Sequence, residues 1–374
     1  MVNLKEVEEE SDSDNESNSS CHENFEICSS QKSDNLLLHK PTFWLGTQSG
    51  FVAIHSAVAQ SETLLSRVRL KDSILEIRYV ARHNVVMVGC ADSSVAVFSK
   101  HKESGLGWNM DNYKLVMLGK TMTPLPVSVI SPVRDNIWVG YGGNIAVLTL
   151  PNINIKENHV FTEGERALVT HMVPLGTGVW IACRFSSVLT LLDSTSMQPL
   201  QQVNMEEVLK PVSVSYGFTT LIRVSAVLCY NNLLWIGTSQ GAMVTIPLKS
   251  LSSSSYVTEP PPDQTPMFAV RDEARISLHG HQGAVRYIIV ARYSAEENPA
   301  PRKMSNSSSN SEVLLRRRSA CTRIVLSGGE GYISYRDMDA GTLSTIRRGR
   351  IIRGFTDHCH MIAWDVSGPR TIVS

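Results

Sequence analysis

The sequence predicts an all-β fold of repeated sheet units, a β-propeller, and three observations predict it. A phrase of one large apolar residue, one further residue and Gly or Ala recurs as Trp44-Leu45-Gly46, Met87-Val88-Gly89, Trp138-Val139-Gly140, Trp180-Ile181-Ala182, Trp235-Ile236-Gly237 and Leu326-Ser327-Gly328. The steps between phrases are 43, 51, 42, 55 and 91 residues, and the first four lie near the period of roughly 40–45 residues of a four-stranded blade. Around each phrase, short runs of alternating apolar residues are bounded by Gly, Asn, Asp, Ser or Pro, as half-buried strands joined by tight turns require.

Residues 1–40 carry 10 acidic and 3 basic side chains and few apolar groups before Phe25, too little apolar surface to offset the entropy of ordering. They are expected to form a disordered, acidic, Ser-rich tail or linker. Its stretch Ser11-Asp12-Ser13-Asp14-Asn15-Glu16 suits an acid-directed kinase, although a solvated charge run is the plainer reading. Residues 41–374 are expected to form the propeller, in strand and turn throughout.

The first blade, around Trp44, shows no obvious innermost strand unless Leu36-Leu37-Leu38 supplies it. The second takes residues 74–80, 85–89 and 95–98, and the third 127–130, 137–140 and 145–150. The fourth surrounds Trp180. The fifth reads as strands at 224–228, 233–237 and 242–246, separated by turns at Tyr230-Asn231-Asn232 and Ser239-Gln240-Gly241. The sixth begins at Gly280, runs through strands at 284–290 and the Leu326 phrase, and closes with a strand at 361–366. Flexible inserts at 249–265, 294–319 and 338–357, the first two rich in Ser and Pro or Asn, account for the long last step. Six blades are visible, and closure without free sheet edges requires either these six or one more.

Composition narrows the class. At 374 residues and 42% hydrophobic the chain suffices for one large β domain, and no run of 18 apolar residues occurs. The acidic amino terminus is unlike a secretion signal, so a soluble, cytoplasmic protein is expected. The seven scattered cysteines, without a CxxC pair, read as reduced thiols, and the sequons at Asn15, Asn18 and Asn306 have no meaning without secretion. A net charge of zero hides a split: residues 302–353 hold 11 Lys/Arg against 4 Asp/Glu.

Candidate sites are few. Trp44, Trp138, Trp180 and Trp235 are expected to wedge between blades as core, and the following Gly to admit a close neighbour. Gly280-His281, Ser327 and Trp364-Asp365 carry a WD-repeat signature, in which His, Ser and the indole share a structural hydrogen-bond network with a turn Asp. Here the turn reads Gly328-Gly329-Glu330-Gly331 and Asp357 sits seven residues before Trp364, so the network is expected to be incomplete. The inner strands offer only Glu76 and Arg78 as charges, and no phosphate loop, HExxH or GxSxG occurs; neither catalysis nor a cofactor is expected. His358-Cys359-His360 with His279 and His281 is a weak metal motif, read first as surface or network residues.

Arg316-Arg317-Arg318-Ser319 fits a basophilic kinase site. The wider Arg-rich segment suits phosphoinositides at an acidic membrane surface, an acidic partner or the chain's own tail, with a solvated loop as the plain reading. Lacking interleaved aromatics, it does not point to nucleic acid.

Several phrases together resemble the C-terminal WD40-like propeller of the JNK-interacting scaffold proteins of the sunday-driver type. These are Trp44-Leu45-Gly46-Thr47-Gln48-Ser49-Gly50, His55-Ser56-Ala57-Val58-Ala59, Arg69-Leu70-Lys71-Asp72-Ser73-Ile74-Leu75, His279-Gly280-His281, Leu326-Ser327-Gly328-Gly329-Glu330-Gly331-Tyr332 and Met361-Ile362-Ala363-Trp364. The resemblance implies a non-enzymatic adaptor linking MAP kinase signalling and microtubule motors to vesicle transport, cytoplasmic and carried to vesicles or perinuclear membranes by its partners. Those partners are JNK-type MAP kinases, kinesin light chain and dynein-associated factors, held mostly by family coiled coils that this sequence lacks. The C-terminal propeller of Rho guanine-nucleotide exchange factors is the competing resemblance, and a propeller enzyme a distant third.

Overall fold

The computed structural model describes residues 41–57, 64–100, 107–119, 123–164, 166–216, 222–250, 265–277, 279–294, 321–331, 333–334 and 359–364. The acidic tail with Leu36–Leu38, nearly all of the three expected inserts, Arg316–Ser319, Asp357 and His358 lie outside the described residues.

Six antiparallel blades succeed one another. The first is β1 (Thr42–Gly46), β2 (Phe51–Ser56) and β3 (Leu64–Arg69). The second is β4 (Ile74–Val80), β5 (Val85–Cys90), β6 (Ser94–Ser99) and β7 (Lys114–Met117). The third is β8 (Val127–Val133), β9 (Asn136–Tyr141), β10 (Asn144–Thr149) and β11 (Asn154–Val160). The fourth is β12 (Val169–Leu175), β13 (Gly178–Cys183), β14 (Val188–Asp193) and β15 (Pro199–Asn204). The fifth is β16 (Val224–Tyr230), β17 (Leu233–Thr238) and β18 (Met243–Ser250), with β19 (Met267–Ala269) and β20 (Arg275–Ile276) both pairing β18. A small ladder joins β21 (His279–Gly280) to β24 (Ile333–Ser334), beside the sixth blade of β22 (Val285–Ser294), β23 (Cys321–Glu330) and β25 (Cys359–Trp364). Among the described residues these are the six blades of the propeller that the repeated phrase makes visible.

The first strands of successive blades, β4, β8, β12, β16 and β22, pack side by side, and the phrase falls on the strand next outward. The core is accordingly a series of five seams. Trp44 packs with second-blade residues, Met87 with the third, Trp138 with the fourth, Trp180 with the fifth and Trp235 with the sixth. Trp138 and Trp180 are 1% and 0% exposed, so each withdraws roughly 150–250 Å² from water, worth on the order of 4–6 kcal/mol.

The glycines of the phrase lie at the same seams. A Cβ on Gly46, Gly89 or Gly237 would collide with Ile74, Val127 or Val285 respectively, each the first or next residue of the following blade's innermost strand. The fourth blade has Ala182 there, a methyl group that the seam accommodates.

Two expectations need correction. Strand and turn do not run throughout: α1 (Met205–Tyr216) joins the fourth blade to the fifth, and a short 3-10 turn spans Arg271–Glu273. Asn204 Oδ1 caps α1 by accepting the Glu206 N–H at 3.0 Å, Glu206 and Glu207 oppose the helix dipole, and Met205 and Leu209 bury one face at i, i+4 spacing. These local signals outweigh the flanking β pattern. The Gly328–Gly331 segment is not all turn either: Gly328, Gly329 and Glu330 belong to β23, which is paired on both edges, and the left-handed residue is Gly331 at φ 59°.

Candidate functional site

The sixth blade's network forms in part from the expected residues. His281 and Ser327 are fully buried, His281 Nε2 lies 2.9 Å from Ser327 Oγ, and the Trp364 indole N–H donates to the same oxygen at 2.9 Å. Burial holds the His281 pKa below the ordinary histidine value. These contacts fasten β23 and β25 to the segment that precedes β22, a structural role.

On the innermost strands, Glu76 and Arg78 meet at 3.4 Å, and Arg78 Nε donates to the Ile130 carbonyl at 3.0 Å, tying the second blade to the third. Burial raises the Glu76 carboxyl above its usual range, against the opposing pull of Arg78. The pair bridges blades. Among the described residues, no three or more His, Cys, Asp or Glu side chains converge on a common centre. No helix of the described residues is long and apolar enough to cross a membrane.

The site that sequence reasoning missed lies between the third and fourth blades. A groove of about 580 Å³ runs between β11 and the outer half of the fourth blade. Phe161, Val188, Leu192 and Pro199 supply apolar wall, while Thr190 and Gln202 supply polar groups. Cys183 also lines it, its thiol pushed up to about 11 by burial and so held protonated and unreactive at neutral pH.

One end of this groove is built by the turn Cys183–Ser186, closed by the Ser186 N–H donating to the Cys183 carbonyl at 3.2 Å. Phe185 occupies the third position of that turn at φ 65°, a left-handed conformation ordinarily taken by Gly or Asn. The corresponding turns of the other blades place Gly50, Ser93, Gly142, Gly241 and Gly331 at positive φ. A phenylalanine is thus held, at a conformational cost, in the left-handed conformation that four of the other five turns assign to glycine.

The ring is 54% exposed. The guanidinium carbons of Arg223 and Arg184 stand 4.7 and 5.9 Å from its centroid. Neither arginine has an ion-pair partner among the described residues. The turn is anchored from both sides: the Arg184 N–H donates to the Leu168 carbonyl at 2.8 Å, and the Ser186 and Ser187 carbonyls accept from Val224 and Met205 at 3.1 and 2.9 Å. Arg184 and Phe185 line the end of a half-apolar trough and Arg223 approaches the same ring from outside the lining, an arrangement suited to binding an extended anionic peptide.

Arg184 and Arg223 are separated by a whole connecting segment and carry no motif. Aligned on their large apolar residues, the other blades place Ser49, Asp92, Gly143, Gln240 and Gly331 in the column of Phe185, so no uniform glycine column marks it in the sequence.

The family model of the WD40 repeated domain matches residues 13–316. The chain is 30% identical over 346 residues to C-Jun-amino-terminal kinase-interacting protein 4 of Homo sapiens, covering 83% of this chain and 25% of that protein. It is 28% identical over 331 residues to JNK-interacting protein 3 of Drosophila melanogaster, covering 87% of this chain and 25% of that protein. The Rho guanine nucleotide exchange factor 10-like protein of Bos taurus is 25% identical over 253 residues, covering 67% of this chain and 19% of that protein. The chain therefore spans about a quarter of the length of the JNK-interacting relatives it matches.

Proposed function

The chain belongs to the WD40 repeated-domain family, and from that membership we propose that it is the non-enzymatic, protein-binding propeller of a JNK-interacting-protein-like scaffold. The observation that carries the proposal is the similarity to C-Jun-amino-terminal kinase-interacting protein 4, which extends over 83% of this chain. A second reading, the regulatory propeller of a Rho exchange factor, has the more limited match of 67% at lower identity in its favour.

In the scaffold reading the propeller presents fixed loops and grooves and performs no chemistry, as repeat architectures commonly do. The wider protein then links MAP kinase signalling to microtubule motors and vesicle cargo in the cytoplasm, with JNK-type kinases, kinesin light chain and dynein-associated factors as its associates. The groove between the third and fourth blades is the propeller's own binding surface.

Quantitative affinity capture from cytosol with the full chain separates the readings. Enrichment of MAP-kinase and motor components is the expected result, whereas selective enrichment of Rho-family GTPases and their regulators would overturn the scaffold reading in favour of the exchange factor.

A further inference from the structure

The groove's charge and the chain's own composition point to its occupant. Two arginines flank an exposed Phe185 without a carboxylate partner among the described residues, while residues 1–40 carry 10 acidic and 3 basic side chains. The densest acidic run, Glu8-Glu9-Glu10-Ser11-Asp12-Ser13-Asp14-Asn15-Glu16, contains no aromatic residue that would need a pocket of its own. Its carboxylates can meet the two guanidinium groups while its backbone and small side chains lie along the trough.

We propose that the acidic segment Glu8–Glu16 docks in the groove between the third and fourth blades and over its Phe185 end, its carboxylates on Arg184 in the lining and on Arg223 just beyond it, and so acts as an intramolecular occupant that competes with acidic peptides of other proteins. This rests on the reading of the groove as a protein-binding surface. The connection is long enough: some two dozen residues separate Glu16 from the first blade, a reach of roughly 80 Å when extended. A domain of this size is only roughly 50 Å across.

Tethering gives the segment an effective concentration in the millimolar range, so even weak docking holds the groove closed to a free competitor. Arg67 and Arg69 also stack on an aromatic ring, Phe51, but they lie on the outer strand of the first blade. Phosphorylation of Ser11 or Ser13 would add charge to the docked segment and tighten it.

The test is fluorescence anisotropy with a labelled synthetic peptide of residues 7–19, added to three full-length proteins. These are the native chain, a chain with Glu8, Glu9, Glu10, Asp12, Asp14 and Glu16 changed to their amides, and the amide chain that also carries Arg184→Glu and Arg223→Glu. The proposal predicts that the amide chain binds the peptide at least tenfold more tightly than the native chain, and that the double charge reversal removes that gain with an unchanged melting profile. Equal affinity for the native and amide chains overturns the proposal, whether or not the peptide binds. Binding that survives the charge reversal also overturns it, by locating the acidic site elsewhere.

A peptide bound equally by both chains and lost on charge reversal would leave the groove as a binding surface for other proteins, so docking of the tail and the platform reading fail on different outcomes. Since charge reversal can itself disturb folding, Arg184→Gln with Arg223→Gln provides a second variant, expected to weaken binding about tenfold while preserving the cation-free stack on Phe185.

Discussion

Phe185 expresses at one residue the tension between stability and use. Its positive φ is a conformation that costs an ordinary side chain on the order of 1–2 kcal/mol, and Gly would adopt it freely. Phe185→Gly is therefore expected to raise stability by about 1 kcal/mol in urea unfolding while weakening acidic-peptide binding, since the surface between Arg184 and Arg223 disappears. Lower stability together with unchanged binding would contradict the role assigned to it.

His171 makes a second prediction at this scale. It sits on β12 with Nδ1 3.0 Å from Thr170 Oγ1, and burial lowers its pKa to about 4 from an ordinary 6.5. A depressed native pKa means that the unfolded chain binds the extra proton between those values. Stability from this group is thus complete above about pH 6.5 and declines as pH falls toward 4, with about 3 kcal/mol at stake at roughly 1.4 kcal/mol per unit. His281, also lowered by burial, works in the same direction. His171→Gln should flatten the acid limb of the stability profile, measured as urea midpoint against pH; an unaltered limb would mean that the histidine is charged in the native state.

At the scale of elements, the seams were the most legible part of the chain because one requirement repeats. A large side chain fills the space between blades and the residue two positions on must be small where the next blade begins, so Trp138, Val139 and Gly140 announce a seam as clearly as they form one. Gly237→Ala places a Cβ 2.5 Å from Val285 Cβ, and overpacking of this kind is expected to cost 1–3 kcal/mol by urea unfolding. A neutral result would show that the fifth and sixth blades are not in fixed contact.

Elements whose signals were not periodic were harder to read. Helix α1 depends on a single cap, two acidic residues and two buried positions in a chain otherwise patterned for strands. Gly328 and Gly329 look like a turn in sequence, yet two neighbouring strands supply the ladder that glycine alone would not favour. The basic end of the groove was invisible for another reason: Arg184 and Arg223 come together at Phe185 only after the fourth and fifth blades are in register, and nothing in their local sequence marks the encounter.

As a whole molecule the protein is a series of blades joined through apolar seams, and the proposed binding surface lies on a turn that those seams hold. The Arg184 amide, bonded within the fourth blade, and the Val224 amide, bonded across from the fifth, make the rim of the groove part of the scaffold rather than a free loop. That is the physical content of the platform reading: a partner meets a surface that is already arranged, and little ordering entropy is spent on binding.

Hydrogen exchange of the unliganded full chain, followed by mass spectrometry, tests this claim most directly. The account predicts that the amides of Arg184, Ser186 and Val224 exchange as slowly as the central strands β13 and β17, with one shared opening free energy across the seam between the fourth and fifth blades. Exchange of the 183–187 turn at the rate of an unstructured peptide, while β13 and β17 stay protected, would contradict a preformed platform and leave the groove as a site that exists only when a ligand creates it.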